Sequence, residues 1–136
     1  MARLGVITGL ISEGDCLAVF PAAARPPTHC AGIGTVAARK ASRALIAEGC
    51  TALLSLGMGG GLDPNLNAGA IVIAERIVTA DGRSLPTENA WRKSLVEVLA
   101  GAGDTVSIAP IAGSENVVTS VEAKQNLRRL TGAAIV

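Results

Sequence analysis

A chain of 136 residues suits one domain large enough to bury a core. Its net charge of +1, from 12 basic and 11 acidic residues, excludes an electrostatic nucleic-acid binder, which carries a strong basic excess. Hydrophobic residues make up 49% but aromatics only 1% (Phe20 and Trp91), so alanine, valine, isoleucine and leucine must fill the interior.

In chain order, residues 4–8 (Leu-Gly-Val-Ile-Thr) read as a buried first strand. They run into residues 9–15, a loop or helix start that carries Glu13 and Asp15. These two acids interrupt the apolar start before a secretory signal could form, and no run approaches the ~20 apolar residues of a membrane span. The three cysteines, Cys16, Cys30 and Cys50, show no CxxC or Cys/His metal spacing, and His29 is the only histidine. Reduced thiols in a cytoplasmic protein, with no metal, are the expectation.

Residues 21–27 form a loop with Pro26-Pro27, and residues 28–31 a short second strand that ends in Gly32-Ile33-Gly34. A helix is predicted over residues 35–48, N-capped by Thr35 and closed by Gly49 at C′. Ala37, Ala41, Ala44, Leu45 and Glu48 share its inner face. The strand at residues 51–56 feeds Gly57-Met58-Gly59-Gly60-Gly61, four glycines in five positions. Such a cluster implies close main-chain approach or positive φ, and exposed N–H groups at a strand end suit an anion or a sugar hydroxyl.

Residues 69–79 read as a strand and 80–83 as a turn. An amphipathic helix follows over residues 87–100, with Trp91, Leu95, Val98, Leu99 and Ala102 at helical spacing and Trp91 in the core. Residues 105–111 are a further strand. Thr119-Ser120-Val121-Glu122 matches a capping box and opens a helix through Ala123, Leu127 and Leu130, which Gly132 ends. Residues 133–136 begin another apolar strand. In a wound sheet such a strand ordinarily feeds a loop and a covering helix, so the chain reads as the N-terminal portion of a larger unit.

The alternation predicts one α/β domain, residues 1–136, with a sheet and flanking helices. If its first strands are parallel, the loops at Glu13, 32–34, 57–61 and 113–116 share the rim where ligands bind. Gly32-x-Gly34-x-x-Ala37 meets a relaxed dinucleotide fingerprint, but it follows the second strand and no acid ends the next one. Glu13 reads either as a solvated strand-end acid or as a catalytic carboxylate. Cys30 reads as a small core hydrophobe rather than a nucleophile.

Several stretches together resemble the purine nucleoside phosphorylases and nucleosidases, which include 5′-methylthioadenosine/S-adenosylhomocysteine nucleosidase, and most of all their hopanoid-associated branch. They are Gly5-Val6-Ile7-Thr8-Gly9-Leu10 with Glu13, then Cys30-Ala31-Gly32-Ile33-Gly34 with Val36-Ala37-Ala38. Leu56-Gly57-Met58-Gly59-Gly60-Gly61-Leu62-Asp63-Pro64 follows, with Gly69-Ala70-Ile71-Val72, Val118-Thr119-Ser120 and the terminal Gly132-Ala133-Ala134-Ile135-Val136.

The resemblance implies cleavage of the N-glycosidic bond of an adenosyl-type nucleoside through an oxocarbenium-like state. Glu13 matches the acid that activates the attacking water. Gly57, Met58, Gly59 and Gly60 match the loop beside the ribose, and Gly32, Ile33 and Gly34 the loop near sugar and nucleophile. Asn116 and Val117 fall where the nucleosidases contact the base. It also implies a homo-oligomer that needs no cofactor, with phosphate open as a co-substrate. Ser55 stands where one phosphorylase class has a phosphate-binding arginine, and Met58 replaces a serine or threonine, so water is equally open. Asn116 replaces a stacking phenylalanine. The family's acidic-Met-Glu segment and later aspartate would lie beyond Val136, which implies that these 136 residues alone are inactive. The alternatives are a non-catalytic nucleotide-binding module and a degenerate fragment that needs a partner chain.

Overall fold

An apolar run at residues 4–8 has no polar face to offer solvent, so it belongs in the middle of a sheet. In the computed structural model, which describes residues 1–136, this run is β1 (Leu4–Thr8), a central strand. The chain packs as two units, Met1–Met58 and Gly59–Val136.

In the first unit β1 is followed by a short helix, α1 (Ile11–Asp15), and by 3-10 turns at Cys16–Val19 and Ala22–Ala24. Then come β2 (Thr28–Cys30), α2 (Thr35–Ala47) and β3 (Ala52–Ser55). The sheet order is β2-β1-β3 and both pairings are parallel, with Val6 opposite Thr28 and Leu54. Ile7, Ala41, Leu45 and Cys50 form the core, with Ala31 and Leu53 against it. A methyl group at Gly5 would lie 3.0 Å from Cys50 Sγ and 3.1 Å from both Leu45 methyls, so α2 sits tight on β1.

Two details of α2 differ from expectation. Its N-cap is Gly34, not Thr35, which is the first helical residue. The chain enters the helix at φ 101, a conformation open to glycine and strained for threonine. Glu48 is exposed rather than on the inner face, and its carboxylate meets His29 Nε2 at 2.7 Å. Gly49 closes the helix at φ 88 as expected.

The second unit contains β4 (Ile71–Val78), β5 (Ser84–Pro86), α3 (Asn89–Gly101), β6 (Val106–Ala112) and α4 (Val121–Thr131). Its sheet order is β5-β4-β6, with β6 parallel to β4 and β5 antiparallel to it. The sequence shows no sign of β5, because three residues ending in proline carry no alternation. Its strand character comes from pairing Ser84, Leu85 and Pro86 with Val78, Ile77 and Arg76.

α3 starts later than predicted because Glu88 is its cap and accepts the N–H groups of Ala90 and Trp91. Trp91, expected in the core, is half-buried, and no residue of α3 is fully buried. At α4 the cap is Ser120, whose hydroxyl accepts the Ala123 N–H at 3.1 Å, so the box expected from Thr119 to Glu122 does not form. Gly132 ends the helix at φ 68 as predicted.

The terminal apolar segment lies between β6 and residues 60–63. Ala112 N–H donates to Ile135 O at 2.9 Å, Leu62 N–H to Ala134 O at 2.8 Å, and Gly60 and Val136 exchange N–H···O bonds of 2.8 and 3.0 Å. Leu62, Ala112 and Ala133 make the second core, with Leu127 and Val136 packed on it. An ion pair between Arg128 and Asp63, 3.0 Å, ties α4 to the same segment. No helix is long and apolar enough to cross a membrane.

Candidate active site

The strand order reverses at the centre of the first sheet: β2 lies on one side of β1 and β3 on the other. The carboxyl ends of β1 and β3 are therefore the switch point of this sheet, the position beyond which ligands usually sit in a wound sheet. Glu13 follows β1 and Gly57-Met58 follows β3.

The turn after β1 is shaped by Thr8, which is buried and donates its hydroxyl to Leu10 O at 3.1 Å. Glu13 occupies the third helical position of α1 and reaches back to the cap, where Leu10 N–H donates to Oε2 at 2.9 Å. This is the acid's half of a capping box; leucine has no acceptor with which to return it. Gly9 N–H gives Oε2 a second bond of 2.9 Å. Met58 N–H, 45 residues away, donates to Oε1 at 2.8 Å.

Glu13 is only 8% exposed, so it is not a solvated strand-end acid. A carboxylate accepts about four hydrogen bonds. Three are filled here by main-chain N–H groups, which leaves one acceptor direction, on Oε1. Burial pushes the carboxyl pKa up, but the N–H groups of Met58, Leu10 and Gly9 together outweigh it and hold the group below its ordinary value. Glu13 is thus an anion at neutral pH. The depressed folded pKa contributes stability that is complete above the unfolded value of about 4.3 and is lost as pH falls through the folded value. Wild type is therefore expected to melt above Glu13→Gln at pH 7, with the gap narrowing as pH falls below the unfolded value, as thermal melts across acid pH would show. A gap that does not narrow on acidification contradicts this account of the carboxylate.

Gly57 is exposed main chain, yet a methyl group there would lie 2.8 Å from Glu13 Cδ, Oε1 and Oε2. From the sequence the glycine loop is expected to mark close main-chain approach or positive φ. None of Gly57, Gly59, Gly60 or Gly61 has positive φ. Gly57 makes room for Glu13, and Gly59 for Ile135, whose Cδ1 would be 2.9 Å from a methyl group at 59. Gly60 faces Val136, and only Gly61 of the four has nothing within 4 Å.

Among the other residues singled out from the sequence, Gly32 and Gly34 have φ of 85 and 101, so the turn from β2 into α2 requires both glycines whatever binds nearby. Gly32 O lies 3.9 Å from a methyl position on Gly9, and Cys30 Sγ contacts Gly9 O at 3.6 Å. The loop after β2 thus abuts the turn that holds Glu13. Cys30 is exposed rather than core, while Cys50 is the buried cysteine. Ile33 is exposed. Asn116 and Val117, in the second unit, follow β6 in a turn where Ser114 Oγ donates to Asn116 O at 2.7 Å, and Val117 is exposed. No three His, Cys, Asp or Glu side chains are grouped to hold a metal ion. Gly9 and Leu10 escape sequence reasoning as partners of Glu13. The available signal is an acid three residues beyond a possible helix cap.

A protein-family model described as the phosphorylase superfamily matches residues 21–136. A search of curated protein sequences found no match. Among solved structures, futalosine hydrolase of Helicobacter pylori strain 26695 aligns with TM-score 0.85 at 17% identity, over 99% of this chain and 76% of its own. The 5′-methylthioadenosine/S-adenosylhomocysteine nucleosidase of H. pylori, bound to butyl-thio-DADMe-Immucillin-A, aligns with TM-score 0.88 at 16% identity, over 99% and 74%. The Campylobacter jejuni nucleosidase of the same name gives TM-score 0.87 at 15%, over 99% and 74%. At these identities the likeness shows the fold: an α/β nucleoside phosphorylase or nucleosidase architecture.

Proposed function

Because this chain belongs to the phosphorylase superfamily, we propose that it cleaves the N-glycosidic bond of an adenosyl-type nucleoside, with Glu13 as the catalytic carboxylate, within one phosphorylase-like domain. The observation that carries the reading is a buried, ionised carboxylate beyond the carboxyl ends of β1 and β3 with three acceptor directions filled and one open.

A carboxylate held below its ordinary pKa is a modest base at pH 7 but a dependable anion. Such an anion suits a reaction in which the purine departs first and positive charge builds on the sugar. In this proposal Glu13 stabilises the oxocarbenium-like sugar through its charge and orients the nucleophile through the open direction on Oε1. Water adds to the sugar after bond breaking, and its proton passes through solvent to the departed purine anion, so Glu13 needs little basicity. The backbone of Gly57 and Met58 borders the ribose, and Gly32, Ile33 and Gly34 border the nucleophile. The contacts that the resemblance implies for Gly59, Gly60, Asn116 and Val117, and the homo-oligomer, belong to the same proposal. So does the narrower assignment to the hopanoid-associated branch, which rests on the sequence resemblance alone.

The test is adenine release by the complete protein, rather than by these 136 residues alone, from 5′-methylthioadenosine and from an adenosyl-lipid analogue, with and without phosphate. Release is the expected result. Independence from phosphate identifies water as the nucleophile, and preference for the lipid analogue supports the narrower branch. Adenosine binding without release from either compound replaces the enzyme with a binding module.

A further inference from the structure

Gly57 occupies the one loop position whose missing side chain coincides with a charged group. We infer that Gly57 is a positioning residue: the space its absent side chain leaves is where the Glu13 carboxylate sits, and only there does Oε1 reach the Met58 N–H. The inference rests on the proposed role of Glu13 and extends it to a residue that acts through that acid.

The geometry is specific. A methyl group at 57 would lie 2.8 Å from Cδ, Oε1 and Oε2 alike. Rotation of the carboxyl plane about the Cγ–Cδ bond cannot relieve a clash with all three atoms. The whole side chain would have to retreat. It cannot retreat freely, because Oε2 is tied to Gly9 and Leu10 N–H at 2.9 Å each. The backbone at 57 does not have positive φ, so alanine is conformationally acceptable there. The effect of Gly57→Ala is therefore steric and directed at Glu13. Gly61 supplies the control in the same loop: it also lacks positive φ, and a methyl group there meets nothing within 4 Å.

The experiment follows the Glu13 carboxyl carbon and the Met58 amide by NMR across acid pH in wild type, Gly57→Ala and Gly61→Ala. In wild type and Gly61→Ala the Met58 amide shift should track the Glu13 titration, with its midpoint below that of ordinary glutamate. In Gly57→Ala the Met58 amide should lose that response and the Glu13 midpoint should rise, because burial remains while one donor is gone. A folded Gly57→Ala whose Met58 amide still tracks Glu13 overturns the inference.

Should Gly57→Ala fold poorly, the double variant Gly57→Ala/Glu13→Ala vacates the disputed space and should melt where Glu13→Ala alone melts. Failure to recover likewise overturns it. Base release is read separately: kcat of Gly57→Ala should fall about 10-fold or more, as displacement by an ångström from a productive geometry implies, with KM nearly unchanged. A wild-type protein that releases no base removes the proposed reaction and leaves the titration result standing. Base release with an unmoved titration in Gly57→Ala removes the positioning role alone.

Discussion

Glu13→Gln is expected to lower kcat/KM for base release by about 10²–10³-fold, the range that loss of a preorganised electrostatic contact costs. The substitution preserves shape, so the loss isolates charge and acceptor capacity. A carboxamide at this position has one acceptor oxygen where Glu13 uses two: Oε2 for Gly9 and Leu10, and Oε1 for Met58. The amide nitrogen must then face an N–H group, either at Met58 or at the turn. Both the anion and the clasp between the two loops are lost together. Parallel kinetics on wild type and Glu13→Gln at pH 7 measure the effect. Unchanged release would show that Glu13 only fastens the turn after β1 to the loop after β3, and would transfer the chemistry elsewhere. The main chain supplies all three hydrogen-bond donors, so their positions are fixed before substrate arrives. This is the preorganisation that makes electrostatic stabilisation effective.

Leu45→Ala carries the largest expected stability loss, about 2–5 kcal/mol. Leu45 is 0% exposed and joins Ile7, Ala41 and Cys50 in a core with no aromatic residue. The cavity it would leave is walled by main chain at Gly5 and by small side chains, which have little reach to collapse inward. The cost therefore belongs in the upper half of the range. Urea denaturation should show a lower midpoint with an unchanged slope. A loss under about 1 kcal/mol would mean that α2 slides to fill the space. Because Ile7 of the same core belongs to the strand that leads into the Glu13 turn, a large loss also loosens that turn.

The parts of the fold legible in the sequence are those set by local chemistry. β1 and β3 are apolar runs between turn signals, and Gly49 and Gly132 end their helices as glycines at positive φ. Cap positions differ by one residue at Gly34 and Ser120, because a cap is chosen by backbone angles and not by residue type alone. β5 is invisible because pairing with β4, not composition, makes it a strand. Trp91 is misplaced by the assumption that a lone aromatic must be buried, whereas its helix lies on the sheet with only partial cover.

At the candidate site Glu13 can be named from the sequence, since an acid at the end of an apolar strand is conspicuous. Its partner Met58 cannot, because a backbone N–H 45 residues away has no sequence signature. The glycine cluster does mark a place of close approach. What approaches Gly57 and Gly59, however, is the protein's own Glu13 and Ile135, contacts that no local window contains.

The central position of β1 also sets a timetable. Its partners on either side are β2 and β3, and Ile7 pairs with Ser55. During synthesis β1 leaves the ribosome with both edges bare; β2 can cover one edge roughly 20 residues later, but the other stays bare until roughly 50 further residues have followed, about 2–10 s at ordinary elongation rates. Through that interval an apolar segment with unpaired hydrogen-bonding groups is open to other nascent chains and to chaperones. The acid that follows it cannot acquire its Met58 contact until the same moment. Assembly of the carboxylate and shielding of the strand are thus one event, so slowed translation between residues 30 and 55 would lower yield and activity together.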